Sequence, residues 1–378
     1  MTIQNINILH LSAAKNWGGG ENHIENLCGE LNEIAREIKN VILCINNSPF
    51  HERIKNMDLI VETSPMLMKL DLRYVNKILK LTKKHQIDLI HIHDSTALTL
   101  AVMATKLGSL PPFILSKKTS FPIKDRNRTL YKYNHPNIQK ILCVSEKTRK
   151  ITSKSISEPS KLTTIYHGTS IKRTGEINFN LREELKISAE KIIIGTIANH
   201  IRAKNLQTWV KTIDDIINTR NEKRFHFAQI GSFTDRSKTY FEKIQTLNLE
   251  KNVSFLGFIP NAAELIPQFD ISLLTSQSEG LPQFLYESFL HKVPVVSTNV
   301  GGIPEIIEDG ANGMLSNPYE SHSLADKLIA LSNDKNMSKK FTELSHQKLI
   351  ENFTTRKMAE QTLAEYKKVL YGENGTGS

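Results

Sequence analysis

Short apolar runs alternate along this chain with longer stretches whose apolar residues recur every three to four positions, and the alternation runs through twice. The first pass places strands at 6–10, 41–45, 88–93, 113–115, 141–144 and 163–166. Between the first two, the spacing of Ile24, Leu27, Leu31, Ile34 and Ile38 predicts a helix over 22–38, and Ile78, Leu79 and Thr82 mark another over 75–85. At 168–190 the texture turns polar, and the linker is expected within it, at 168–175. The second pass predicts strands at 191–197, 225–230, 253–256, 271–275 and 293–297, with helices at 206–218, 237–247, 282–291, 321–331, 339–352 and 356–370. Strands joined by helices pair in parallel, because a parallel connection needs a crossover long enough to hold a helix. Two such passes predict two Rossmann-like, doubly wound α/β domains facing across a cleft. The expected boundaries are 1–172 for the first, 173–355 for the second, a terminal helix at 356–371 and a Gly-rich, disordered tail at 372–378.

No apolar run approaches the about 20 residues needed to span a bilayer, and no cationic segment with an apolar signal core opens the chain. Cys28, Cys44 and Cys143 are odd in number, far apart and in apolar surroundings, which reads as reduced core thiols in a cytoplasmic protein. No cysteine or histidine pair carries ligand spacing supported by further ligands, so neither a metal site nor a cofactor is expected.

The net charge of +10 is unevenly placed: residues 1–175 hold 26 basic against 14 acidic residues, and the remainder holds 23 against 25. The excess gathers at Lys117-Lys118, from Lys124 to Arg128, at Lys132 and Lys140, and from Lys147 to Lys161. A solvated basic face is the plain explanation. Contact with a phosphorylated acceptor, an anionic lipid surface or nucleic acid is the functional one.

The chemistry-bearing residues cluster in loops that follow strands. Ser-Glu-Gly-Leu-Pro-Gln-Phe-Leu-Tyr-Glu holds Glu279 and Glu287 between the strand ending near Thr275 and a helix expected to begin at Pro282. Gly280 admits close backbone approach, the first-turn N–H groups suit a diphosphate, and Glu287 suits a ribose diol. Gly301-Gly302-Ile303-Pro304-Glu305 forms a second small-residue loop. Gly18-Gly19-Gly20-Glu21 follows the first strand, as a phosphate loop or as a tight turn. His91 and His93 share one face of an apolar strand; His91 suits a core histidine, and His93, nearer the strand end, suits a ligand contact. Lys204 lies in the loop after the first strand of the second pass, where a cation would neutralise a departing diphosphate, with His200 and Arg202 as auxiliaries. Gly231-Ser232 is either a turn or a point of close ligand approach.

Together these residues resemble the retaining glycosyltransferases of the GT-B fold known as group 1 or GT4. The resemblance runs over nearly the whole chain and is densest from about 190 to 330. It rests on the Glu-x7-Glu element, Gly-Gly-x-Pro-Glu, Asp309-Gly310-x-Asn312-Gly313, the first Gly-Gly-x-Glu loop and His91-x-His93-Asp94. It implies that Glu287 holds the donor ribose, that Glu279 and His93 face the transferred sugar, and that Lys204 binds the diphosphate. Gly280, Leu281 and Pro282 would bind donor through their backbone, Gly18 and Gly19 would close over phosphates, and the last helix would cross back to the first domain. Two positions depart from the family pattern: Asn199 stands where an arginine is usual, with Arg202 as a possible substitute, and the end of the first domain reads His167-Gly168-Thr169-Ser170. The implied reaction moves a hexose, with retention and without metal, from a UDP- or GDP-type donor to a saccharide or lipid-linked acceptor. Cell-surface polysaccharide or lipopolysaccharide synthesis at the inner membrane face is the expected setting. A nucleotide-sugar epimerase of similar fold is the alternative. A nucleic-acid-binding protein fits less well, since aromatic residues make up only 7% and no nucleic-acid motif occurs.

Overall fold

The computed structural model describes residues 5–171 and 178–372. The expected linker thus lies partly, and the tail almost wholly, outside the described residues. Contacts divide the chain into two compact units: residues up to 170 together with those from 355 onward, and residues 171–354.

The first unit holds seven strands: β1 (Ile6–Leu11), β2 (Ile38–Ile45), β3 (Ile60–Ser64), β4 (Leu89–Ile92), β5 (Phe113–Lys117), β6 (Ile138–Cys143) and β7 (Leu162–Thr164). They form one parallel sheet in the order β3-β2-β1-β4-β5-β6-β7. The order reverses between β1 and β4, the switch point where doubly wound sheets leave a crevice at the carboxyl ends of their strands. Helix Gly19–Ile34 buries Ile24, Leu27, Cys28 and Leu31. Helix Thr355–Tyr371 packs beside it and adds Met358, Ala359 and Tyr366 to the same apolar cluster as Leu27, Leu31 and Ile8.

The second unit repeats the plan with β8 (Ile192–Ile197), β9 (Phe225–Ile230), β10 (Val253–Gly257), β11 (Ile271–Leu274), β12 (Val295–Thr298) and β13 (Met314–Ser316). Their order, β10-β9-β8-β11-β12-β13, is again parallel and switches between β8 and β11.

Several sequence expectations are corrected. The first helix starts at Gly19 and ends at Ile34, because Ala35 and Glu37 turn the chain and Ile38 already opens β2. Pro282 is the N-cap rather than the first helical residue; its ψ of 129° is extended, and the helix runs Gln283–Leu290. Strands β3 and β13 and helix Ser95–Ala104 were not expected. Lys117 and Lys118 do not belong to a basic surface. Lys117 is buried, its ammonium bonded to Thr119 and, at 3.0 Å, to the Phe121 carbonyl. Lys118 reaches the Gly20 carbonyl at 2.8 Å.

All three cysteines are free and buried, and burial pushes the Cys44 and Cys143 thiols up to about 12, so they stay protonated. Among the described residues, no helix is long and apolar enough to cross a membrane.

Candidate active site

In the second unit the switch point is flanked by two loops, Ala198–Asn205 after β8 and 275–282 after β11. Lys204 Nζ donates to Glu279 Oε1 at 2.7 Å, and Ser276 Oγ donates to the same oxygen at 2.6 Å. The two loops are also tied through backbone and hydroxyl groups. Gln277 N–H donates to the Ala203 carbonyl at 2.8 Å and Thr275 Oγ1 to the Lys204 carbonyl at 3.2 Å, while Thr298 Oγ1, at the end of β12, donates to the Ser276 carbonyl at 2.6 Å. Lys204 and Glu279 are therefore held on a cross-braced frame, the arrangement that keeps a reactive group from paying reorganisation cost during a reaction.

The glycine loop after β12 supports this frame. Gly301 has φ +60°, and a Cβ there would sit 1.9 Å from the Glu279 carbonyl oxygen. Gly302 N–H donates to the Gly280 carbonyl at 2.8 Å. Only glycine allows the 299–302 turn to press against the backbone of Glu279 and Gly280. Leu281, within the loop after β11, is buried, and Pro282 ends that loop in extended conformation. Glu287, half-buried in the second turn of helix Gln283–Leu290, has its carboxyl raised to about 7; burial is the main cause, with repulsion from Glu264 added and a hydrogen bond from Gln283 opposing.

Other expected residues divide clearly. Gly231 closes on the β8 loop so tightly that a Cβ would meet the Ala198 carbonyl oxygen at 2.1 Å. Asn199, where the family pattern has arginine, accepts the Ser232 N–H at 2.9 Å and so braces the loop. Arg202 is exposed. His200 is fully buried among Phe233, Tyr240, Phe241 and Phe255 and bonded to Gln229 at 2.6 Å, a packing role. Asn312 is a turn scaffold: its amide accepts from Glu308 N–H and donates to the Ile306 carbonyl. A surface cavity of about 590 Å³ lined by Asn180, Arg182, Phe269 and Asp270 lies at the amino ends of β8 and β11, the edge opposite these loops.

In the first unit, Gly18 is the N-cap and Gly19 the first residue of helix Gly19–Ile34. Glu21 is buried there with its carboxyl raised, chiefly by burial, and Lys118 is lowered to about 8, again chiefly by burial. Asp94 caps helix Ser95–Ala104 and accepts the Ala13 N–H at 2.7 Å. His93 is buried just past β4 within a group of five histidines. His10 Nδ1 lies 3.0 Å from His93 Nε2; the His91 and His93 ring centres are 4.0 Å apart, those of His23 and His93 6.0 Å, and those of His23 and His167 4.4 Å. Burial holds His10 near 4, His167 near 3, and His23, His91 and His93 well below the usual histidine range, so all five are neutral.

Among the described residues, His10, His91 and His93 are the group whose ligand atoms approach within 4.8 Å, a spacing that admits a metal ion. Five of their six ring nitrogens already have protein partners: His10 pairs with His93 and Asn40, and His91 with Tyr366 at 2.6 Å and Ser116 at 2.8 Å. The hydrogen-bonded arrangement thus competes directly with ligation. Sequence reasoning missed His10 and Asn40, on β1 and β2, His23, on helix Gly19–Ile34, and Ser276, in a loop; it named Lys118 only as part of the basic excess and His167 only as part of the turn that ends the first domain.

Two doubly wound parallel sheets in one chain define the GT-B fold, and solved structures agree. The structure of Anabaena HepE in complex with UDP and glucose superposes with a TM-score of 0.82 at 19% identity, covering 96% of this chain and 99% of that one. Residues 17–173 match Glycosyltransferase Family 4 and residues 178–348 match Glycosyl transferases group 1. This chain belongs to that glycosyltransferase family. Among curated relatives, the N-acetyl-alpha-D-glucosaminyl L-malate synthase of Bacillus anthracis is 24% identical over 331 residues, 86% of this chain and 85% of the relative. The UDP-Gal:alpha-D-GlcNAc-diphosphoundecaprenol alpha-1,3-galactosyltransferase of Escherichia coli is 20% identical over 277 residues, 70% and 71% of the two chains.

Proposed function

We propose that this glycosyltransferase moves a hexose from a nucleoside diphosphate sugar, of UDP or GDP type, to a hydroxyl of a saccharide or lipid-linked acceptor with retention of anomeric configuration. The observation that carries the reading is the Lys204–Glu279 pair, braced at a switch point beside a glycine-walled loop. In this reading Lys204 neutralises the diphosphate as the C1–O bond to it breaks, and Glu279 faces the sugar while holding Lys204 in place. The backbone of Gly280, Leu281 and Pro282 and the approach at Gly231 bind donor, Glu287 accepts from the ribose diol, and Arg202 is an outer phosphate contact. In the first unit His93, Gly18 and Gly19 keep the roles the family resemblance implies. The acceptor oxygen bonds to C1 on the face the diphosphate leaves, and the acceptor proton passes to the departing phosphate oxygen. No Asp-x-Asp element occurs in the chain, and Lys204 supplies the cation that a metal would otherwise provide.

The name of the Escherichia coli relative, a galactosyltransferase acting on a diphosphoundecaprenol-linked sugar, supports polysaccharide or lipopolysaccharide synthesis as the setting. Binding to an anionic membrane face is supported by exposed Phe121 beside exposed Lys124, Arg126 and Arg128, an apolar side chain set among cations.

The test is purified protein with a panel of nucleotide sugars and acceptors, EDTA present, and the product anomer read by NMR. Donor-dependent transfer with retention supports the reading. Isomerised donor without acceptor would instead identify an epimerase. Vesicles of phosphatidylglycerol should retain the protein at low salt, and Phe121→Ser with Arg126→Glu should release it; equal binding to neutral vesicles would remove the membrane reading.

A further inference from the structure

An unbroken hydrogen-bond chain leads from the surface of the first unit to His93. Asn32 Nδ2 donates to the Asp58 carbonyl at 3.0 Å, and Asn40 Nδ2 donates to Asn32 Oδ1 at 2.8 Å. Asn40 Oδ1 lies 3.0 Å from His10 Nε2, and His10 Nδ1 lies 3.0 Å from His93 Nε2. The far nitrogen, His93 Nδ1, is buried with no partner among the described residues.

The polarity of this chain follows from its first member. A backbone carbonyl only accepts, so Asn32 must turn its NH2 toward Asp58 and its oxygen toward Asn40. Asn40 must then offer its NH2 to Asn32 and its oxygen to His10. A neutral imidazole carries one N–H, and the Asn40 oxygen claims it at His10 Nε2, leaving His10 Nδ1 as an acceptor. His93 must therefore donate from Nε2, and its Nδ1 keeps a bare lone pair. The reverse tautomer would set two lone pairs facing each other between His10 and Asn40, at the desolvation cost of an unmade buried hydrogen bond.

We infer that Asn40 and His10 act as positioning residues that fix His93 as its Nε2–H tautomer, so that Nδ1 accepts a hydrogen bond from a substrate hydroxyl. Identifying that hydroxyl as one of a sugar rests on the proposed transferase reading; the tautomer itself does not. The site then selects for an O–H at one position and against groups that only accept, such as fluorine, a methyl ether or a phosphate oxygen. Burial of the unpartnered nitrogen raises this selectivity, because a ligand lacking the donor leaves it unpaired.

The decisive measurement is a long-range proton–nitrogen NMR correlation on the full chain labelled with 15N-histidine. The expected His93 signal has a protonated Nε2 and an unprotonated Nδ1. In Asn40→Leu, which removes the orienting oxygen, both tautomers should appear. Asn32→Ala, an exposed change that preserves the interior, should free the Asn40 amide to turn over and make the second tautomer detectable. A protonated Nδ1 in the wild type, or an unchanged tautomer in both variants, overturns the inference. This readout needs no turnover, so it separates failure of the relay from failure of the transferase reading. With an active donor, the monofluoro analogue at the contacted position should react as poorly as the monodeoxy analogue, at least about tenfold below the hydroxyl compound. Asn40→Leu should narrow that gap. Fluoro analogues matching the hydroxyl compound wherever deoxy analogues fail would show that His93 donates, and would sink the idea.

Discussion

Lys204 and Glu279, 75 residues apart in sequence, share a hydrogen bond of 2.7 Å whose acceptor oxygen is also held by Ser276. The pair holds the ammonium already oriented, and the hydroxyl of Ser276 fixes the carboxylate rotamer. Replacing Lys204 with alanine should lower kcat/KM by about 10²–10³-fold, the scale for removing one preorganised electrostatic contact. Glu279→Gln should cost a comparable factor, and the double variant less than the product of the two, because the side chains act as a unit. Steady-state kinetics on the three variants checks this; fully multiplicative losses would show that the two residues work independently.

Gly301→Ala should damage the same frame without touching a charge. The new methyl would meet the Glu279 carbonyl at 1.9 Å from a backbone with φ +60°. The expected loss is at least about 2 kcal/mol of stability in the second unit, from left-handed strain and the steric clash together. Urea unfolding read by fluorescence provides the check, and a midpoint equal to wild type would refute the tight approach.

Glu287 sets a pH dependence for donor binding. Its carboxyl, held near 7, is mainly protonated at pH 6 and mainly ionised at pH 8. A ribose diol donates to the ionised form, so nucleotide Kd should fall as pH rises across that window. Stability runs the opposite way: the contribution of Glu287 is present below about 4.5 and is lost as pH rises through about 7. Calorimetric titrations at several pH values should show the trend, and Glu287→Gln should flatten it.

The five neutral histidines of the first unit predict acid lability. Each has a native pKa depressed below its unfolded value of 6.5. The stability they contribute is present above about 6.5 and is lost as pH falls toward 4 and below, at up to about 1.4 kcal/mol per pH unit for each group. The chain has 2 tryptophans, Trp17 in the first unit and Trp209 in the second, so Trp209→Phe and Trp17→Phe variants report on each unit separately. The transition seen by Trp17 should move to lower urea more steeply on acidification than that seen by Trp209. Parallel pH slopes would contradict the assignment.

Much of this was legible in the residues. Periodicity located most strands, because a strand buried on both faces is a continuous apolar run, and Glu279, Gly280 and Glu287 stood out because a polar loop follows such a run. β13 escaped notice because three residues, Met314–Ser316, are too few to show a period. β3 escaped because Ile60 to Thr63 lie half-buried at the sheet edge. Lys117 and Lys118 looked like surface charge because a run of cations usually is one; here β5 carries the first of them inward. The link from His10 to Asn40 and His93 depends on which strands are neighbours. β1 lies between β2 and β4, with His10 registered against His91. Alternation shows which face a residue takes but not whose side chain it will meet.

The bond between Tyr366 and His91 spans 275 positions of sequence. As the polypeptide leaves the ribosome, the sheet that contains His91 emerges early, yet the partner that satisfies this ring arrives only after the whole intervening unit has been synthesised. Birth order and completion order are therefore inverted: the later-made unit can finish first, and the earlier one must wait with an open flank along helix Gly19–Ile34. Chaperones that shield nascent chains would find their substrate in that waiting surface.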